Sequence, residues 1–361
     1  MDIESQQEAN SLQRLLAQLT QNEQLDTDAQ AKAAAWIGQQ LSEPNPPWYI
    51  KTFVGVSAWL AAFFIILFLS LGGVIDRAGP MMLIGGLFCA AALALKWMAR
   101  RSIFAGQLAF AVSLAGQGLL IAGTGMWTES TTAAALAALA LEAVLFVAYP
   151  DTMHRLISVA AMGAALLVLL VEHELPDGIH LMIALFAACA LFVWRNEPSL
   201  RGSPRLAAYW PAAAYGTLLV LAALCVLPLV GFLDTTKWWI SVAALGLGLL
   251  YLWDQILGEL EIPRQSAAAL WLLAGVGLLL APTYQTPGIL AALMGLLLAF
   301  WRSNNLQMGL SSAFLLFFIG AYYYNLDFTL LEKSYILMGT GAALLVVRLG
   351  LIRLGQGEDA R

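Results

Sequence analysis

Long apolar runs separated by short polar segments, with basic residues confined almost entirely to every second segment, leave this chain few folds to choose from. A bilayer core about 30 Å thick needs roughly 20 apolar residues in a helix rising 1.5 Å per residue. Twelve runs meet or approach that length: about 52–75, 80–98, 103–125, 132–149, 156–172, 179–194, 207–230, 237–253, 267–282, 287–301, 306–324 and 334–354. The ninth and tenth, joined across Pro282 and Pro287, are short enough to form a re-entrant hairpin instead. Only 11% of the 361 residues are charged, against about 25% in soluble domains, so lipid must solvate most of the chain. The expected fold is all-α, a polytopic transmembrane helix bundle of about twelve spans.

Sidedness follows from the cations. With the N-terminus placed in the cytoplasm, the inner segments hold Arg14, Lys32, Lys51, Lys96, Arg100, Arg101, Arg155, Arg195, Arg201, Arg205, Arg264, Arg302, Arg348, Arg353 and Arg361. The outer segments hold Arg77, Lys237 and Lys333, so the 18 Lys and Arg divide 15 to 3. Translocating positive charge is disfavoured, so both termini are expected in the cytoplasm and the chain in a bacterial inner membrane. The dispersed cations form no nucleic-acid footprint. Cys89, Cys189 and Cys225 each lie in a separate apolar run and read as small buried hydrophobes.

Three parts are expected along the chain. Residues 1–51 read as a cytoplasmic amphipathic hairpin and a proline-rich link, 52–354 as the membrane domain, and 355–361 as a polar tail. In the first part Leu12, Leu15, Leu16 and Leu19 share one helical face, and Ala29, Ala33, Trp36, Ile37 and Leu41 another. Thr27 and Gln30 form a capping box, and Pro44, Pro46 and Pro47 end the second helix. No cleavable secretory signal precedes the first run, which therefore reads as an uncleaved anchor.

Ionisable groups at membrane depth are functional hypotheses by default. Glu142 is the clear case, and Gln117 on the preceding helix sits at similar depth, roughly 14–17 Å from the connecting turn at 1.5 Å per residue. Gly106, Ser113, Gln117 and Thr124 share one face, which predicts packing against the fourth helix and a Gln117–Glu142 hydrogen bond. Gln107, Ser113, Gln117, Thr124 and Glu142 are the candidate polar cluster; the bland alternative is a structural clasp. Glu172, His173, Glu174, Asp177 and His180 could in principle ligate a metal, but scattered acids around Pro176 and Gly178 read better as a solvated loop. His154, beside Asp151 and Arg155, reads as a solvated loop residue. Gly118/Ala122, Ala244/Gly248 and Gly339/Ala343 are small-xxx-small pairs that permit close helix approach. No nucleotide, zinc-protease or nucleophile-elbow motif is present, and no cofactor is expected. The stretch 322–335, with Thr329 and Glu332 as a capping box, reads as the start of the last helix; a periplasmic docking surface is the sharper alternative.

The run FFIGAYYYNLDFTLLEKSYILMGTGAALLVVR, residues 317–348, resembles uncharacterised bacterial inner-membrane proteins classed as domains of unknown function. SLAGQGLLIAG, residues 113–123, is similar to their glycine-glutamine helix. The resemblance implies inner-membrane residence and, for some members, a neighbouring small membrane protein with a GDYxxLxY signature. It carries no catalytic residues. Two functions are expected to compete. One is a non-enzymatic membrane component acting with a partner protein. The other is a secondary transporter with Glu142 as coupling carboxylate, which predicts a midplane cavity lined by Gln107, Gln117 and Glu142.

Overall fold

A computed structural model describes residues 48–73, 76–99, 102–233, 235–267, 269–270 and 286–325, with scattered single positions besides. Among these the chain is helical throughout: α1 (Trp48–Leu71), α2 (Ala78–Met98), α3 (Ile103–Thr128), α4 (Thr131–Ala148), α5 (Thr152–Glu172), α6 (Gly178–Arg195), α7 (Glu197–Gly202), α8 (Trp210–Leu229), α9 (Trp238–Glu259), α10 (Pro287–Trp301) and α11 (Asn305–Asn325). Eight of them, α1–α6, α8 and α9, are long and apolar enough to cross a membrane; α10 and the apolar part of α11 are shorter. Ten of the twelve expected runs thus correspond to helices. The N-terminal hairpin, most of the ninth and twelfth runs, the segment 326–333 and the tail lie outside the described residues.

Local chemistry sets the helix ends. Ser102 and Ser130 each accept a hydrogen bond three residues ahead, from the N–H of Ala105 and Ala133, and so start α3 and α4. Asp151 accepts from the N–H groups of both Met153 and His154 and starts α5 at Thr152, four residues before the predicted boundary. Pro211 falls in the first turn of α8, where a missing N–H costs nothing, and so opens the helix instead of kinking it. Arginines close two helices. Arg155 donates from Nε to the Phe146 carbonyl (2.9 Å) at the end of α4 and from a terminal nitrogen to Ala208 (2.7 Å). Arg302 does the same for the Trp194 and Arg195 carbonyls at the end of α6.

The helices pack as a connected row. α3 lies between α1, α2 and α4; α4 packs on α5, α5 on α8, and α8 on α6 and α10; α9 bridges α6 and α10, and α11 lies against α10. The larger core forms around α8 and draws on α5, α6, α9 and α10, with Leu221, Leu245, Leu252 and Met294 almost fully buried. An aromatic knot of Trp194, Trp210 and Tyr215 closes one end, and both indole N–H groups find carbonyls, Ala214 and Val193. α1 is the opposite extreme. Phe53 and Phe68 are 74% and 75% exposed, a composition that only a hydrocarbon solvent tolerates over a whole helix. The apolar exterior and the eight long helices mark a membrane protein.

Close approach concentrates where α2 meets α3. A Cβ on Gly85 would sit 2.6 Å from the Leu120 nitrogen, and one on Gly116 2.7 Å from the Gly85 oxygen. Of the predicted small-residue pairs, Gly248 packs this way against Leu191 and Met294, whereas Gly118 faces open space. The third pair lies partly outside the described residues.

Candidate functional site

A buried polar cluster joins α3, α4 and α5, with α2 at its edge. The turn Tyr149-Pro150-Asp151 sets it up. Asp151 caps α5 and also takes a hydrogen bond from Lys96 Nζ of α2 at 2.7 Å. Burial pushes the Asp151 carboxyl up, but the Lys96 ammonium and the two backbone N–H groups outweigh it and hold it below its ordinary range. Tyr149 folds back and stacks on His154, centroids 3.9 Å apart and rings 14° from parallel, while Phe110 of α3 meets the imidazole edge-on.

The imidazole so held is fully buried. Its Nε2 lies 2.9 Å from Ser113 Oγ and 3.1 Å from Gln117 Nε2, and Gln117 Nε2 also donates to Ser113 Oγ at 3.2 Å. An amide nitrogen only donates, so Nε2 is the acceptor there and Nδ1 carries the proton. That Nδ1 is buried with no hydrogen-bond partner. One turn further along α5, Ser158 lies beside the Glu142 carboxylate of α4. Even so, Glu142 Oε2 and Ser158 Oγ are buried without a partner of normal hydrogen-bond geometry. Cys89 of α2 is within electrostatic range of Glu142 and directs its thiol at the Ser113 carbonyl, 3.9 Å away.

Four expectations therefore change. Gln117 does not bond Glu142, although the two lie at similar depth. Side chains tilt toward the N-terminus of their own helix, and α3 and α4 run antiparallel, so the two point in opposite directions along the bundle. His154 is no solvated loop residue, because the Asp151 cap draws it into the first turn of α5. Thr124 bonds its own helix at Leu120 and does not reach α4. Gln107 is exposed, away from Gln117 and Glu142.

Gln107 instead borders two cavities. A polar one of about 360 Å³ is lined by Lys96, Ser102, Gly106, Gln107, Phe110 and Asp151 among others. An open apolar groove of about 710 Å³ runs along α1, past Thr52, Gly55, Val56, Trp59, Leu60 and Phe63, with Gln107 of α3 at its rim. Phe110 is the wall between the polar cavity and His154.

The loop once considered for metal is dispersed. His173 meets Thr132 at 3.4 Å, Asp177 accepts from the N–H groups of Thr236 and Lys237, and His180 is buried with Nδ1 2.7 Å from Ser241 Oγ. Those two N–H bonds hold the Asp177 carboxyl below its ordinary range. His180 is thus a second buried imidazole, not part of a solvated loop. No group of three or more metal-ligating side chains occurs among the described residues.

No curated protein and no solved structure matches the chain. A family profile does, over residues 47–354, which is most of the chain. The chain belongs to that family, described as a domain of unknown function, DUF4401.

Proposed function

We propose that this protein is a non-enzymatic membrane component that binds and releases a proton at Glu142, Ser158 and His154, exchanging it through the Lys96–Asp151 end. One observation carries the reading: Glu142 Oε2, Ser158 Oγ and His154 Nδ1 are buried on two packed helices without a hydrogen bond of normal geometry, and Ser158 lies beside the carboxylate. Orphaned buried polar atoms cost about 1–3 kcal/mol each, so a fold that keeps them spends stability on a purpose. A carboxylate and an imidazole are also the groups that relay protons across membranes. On this reading the basic end faces the cytoplasm of a bacterial inner membrane, as the 15-to-3 division of cations supports.

Infrared difference spectra of the protein in liposomes test it. A pH step should produce a carboxylic C=O band that Glu142→Gln removes while the variant still inserts and melts cooperatively. An unchanged band in that variant overturns the reading.

The Ser113–His154 pair also has the spacing of a base-activated nucleophile. Ser113 is fully buried, and Gln117 already donates to its oxygen, which supports a relay over an attacking group. A second reading, assembly with a small membrane protein, draws on α1, which packs chiefly against α3 and turns its phenylalanines outward. Mild-detergent affinity capture that yields no stoichiometric partner would remove it.

A further inference from the structure

The polar cavity and the apolar groove share one residue, Gln107, and together they have the form of a head-and-tail site. α1 and α3 run parallel from the basic end: Gly55 lies against Gln107, and Trp59 meets Phe110 edge-on at 5.7 Å. The groove starts at Thr52, beside the polar cavity, and follows α1 to Phe63. That is eleven residues, or roughly 16 Å at 1.5 Å per residue, from the interface toward the midplane. Gly55 keeps the groove open. Among the described residues, a Cβ there would meet only the Gln107 carboxamide, at 4.0 Å.

The polar end carries charge of both signs. Lys96 and Asp151 are paired at 2.7 Å, with side chains 21% and 28% exposed, and both line the cavity. Ser102 and Gln107 add a hydroxyl and an amide donor. A purely anionic headgroup would satisfy Lys96 and repel Asp151. A quaternary ammonium would offer Asp151 no N–H. A headgroup with a phosphate next to a primary ammonium matches both, because the phosphate pairs with Lys96, the ammonium donates to Asp151, and the four charges sum to zero.

We infer that the cavity and groove together hold one phosphoethanolamine phospholipid, headgroup on Lys96 and Asp151, one acyl chain along Gly55, Trp59 and Phe63. This site shares Lys96 and Asp151 with the proton exit proposed above but rests on the cavity and groove alone, so the lipid test can fail while the Glu142 band stands, and the reverse.

Native mass spectrometry of the full-length protein tests it, after delipidation and re-exposure to equal mixtures of phosphoethanolamine, phosphocholine and phosphoglycerol lipids of the same chains. The expected spectrum shows one retained adduct with the phosphoethanolamine mass, favoured about tenfold over either competitor, which is about 1.4 kcal/mol. Gly55→Leu, which fills the groove and touches no charge, should lose the adduct, and Lys96→Gln should lose the preference. Thermal melts in detergent confirm that each variant is folded. Equal retention of the three lipids, an adduct that survives Gly55→Leu, a preference that survives Lys96→Gln in folded protein, or a bound mass equal to a second copy of the chain overturns the assignment.

Discussion

At Gly85 and Gly116 the backbones of α2 and α3 approach so closely that an added methyl group meets main-chain atoms, which cannot rotate away. Gly116→Ala should therefore lower stability by about 1–3 kcal/mol, the usual cost of overpacking, while Gly118→Ala, facing open space, should be neutral or slightly stabilising. Melting temperatures in one detergent compare the two. Gln117→Leu keeps the volume but removes the donor to His154 and Ser113, so it should cost about 1–3 kcal/mol by the same assay. Asp151 adds a pH dependence. Its carboxyl is held below the ordinary value of 3.8, so its contribution is complete above that value and is lost as the pH falls through the lower folded one. Stability measured down an acid series should fall more steeply for the wild type than for Asp151→Asn. Glu142 and Gln117 were both legible in the sequence as buried polar groups, and both are buried. Their pairing was not legible, because depth was counted from Cα positions while the side chains of antiparallel helices diverge.

At the scale of helices, the boundary of α5 decided what could be read. Periodicity of apolar residues begins only at Leu156, so a hydropathy reading leaves His154 in a loop. The cap Asp151 places the helix start at Thr152, and His154 and Ser158 then stand four apart on one face. Asp151, a residue type that favours the helix N-cap, was the available signal. Arg155 is itself a helix terminator. Its guanidinium bridges the end of α4 to Ala208 and lies 4.0 Å over the Tyr209 ring. A lysine keeps the charge but cannot donate in two fixed directions. Arg155→Lys should cost about 1–3 kcal/mol, and Arg155→Met should cost more, by leaving two carbonyls short of a donor.

For the whole molecule, hydropathy outlined the helices well because it reflects one strong force, the cost of placing polar groups in lipid. It said little about neighbours in the row, since lipid and a second helix are equally apolar partners for leucine. Hence the central place of α8, between α5, α6 and α10, had no counterpart in the sequence beyond its unbroken apolar run. Sidedness remains open to direct test. Single-cysteine labels at Glu129 and Ser203 should react with an impermeant reagent from opposite faces, Ser203 from the cytoplasmic one. Labelling of both from one side would reject the proposed orientation.

The His154 bonds to Ser113 and Gln117 span 41 and 37 residues of sequence. At synthesis rates of about 5–20 residues per second, the two α3 groups emerge roughly 2–8 s before their imidazole does. Until then Gln117 has only Ser113 of its own helix as a partner. The α3–α5 polar contact can therefore close only after α4 and the start of α5 have been made, and any pause in translation between them lengthens the interval in which α3 carries those groups without it.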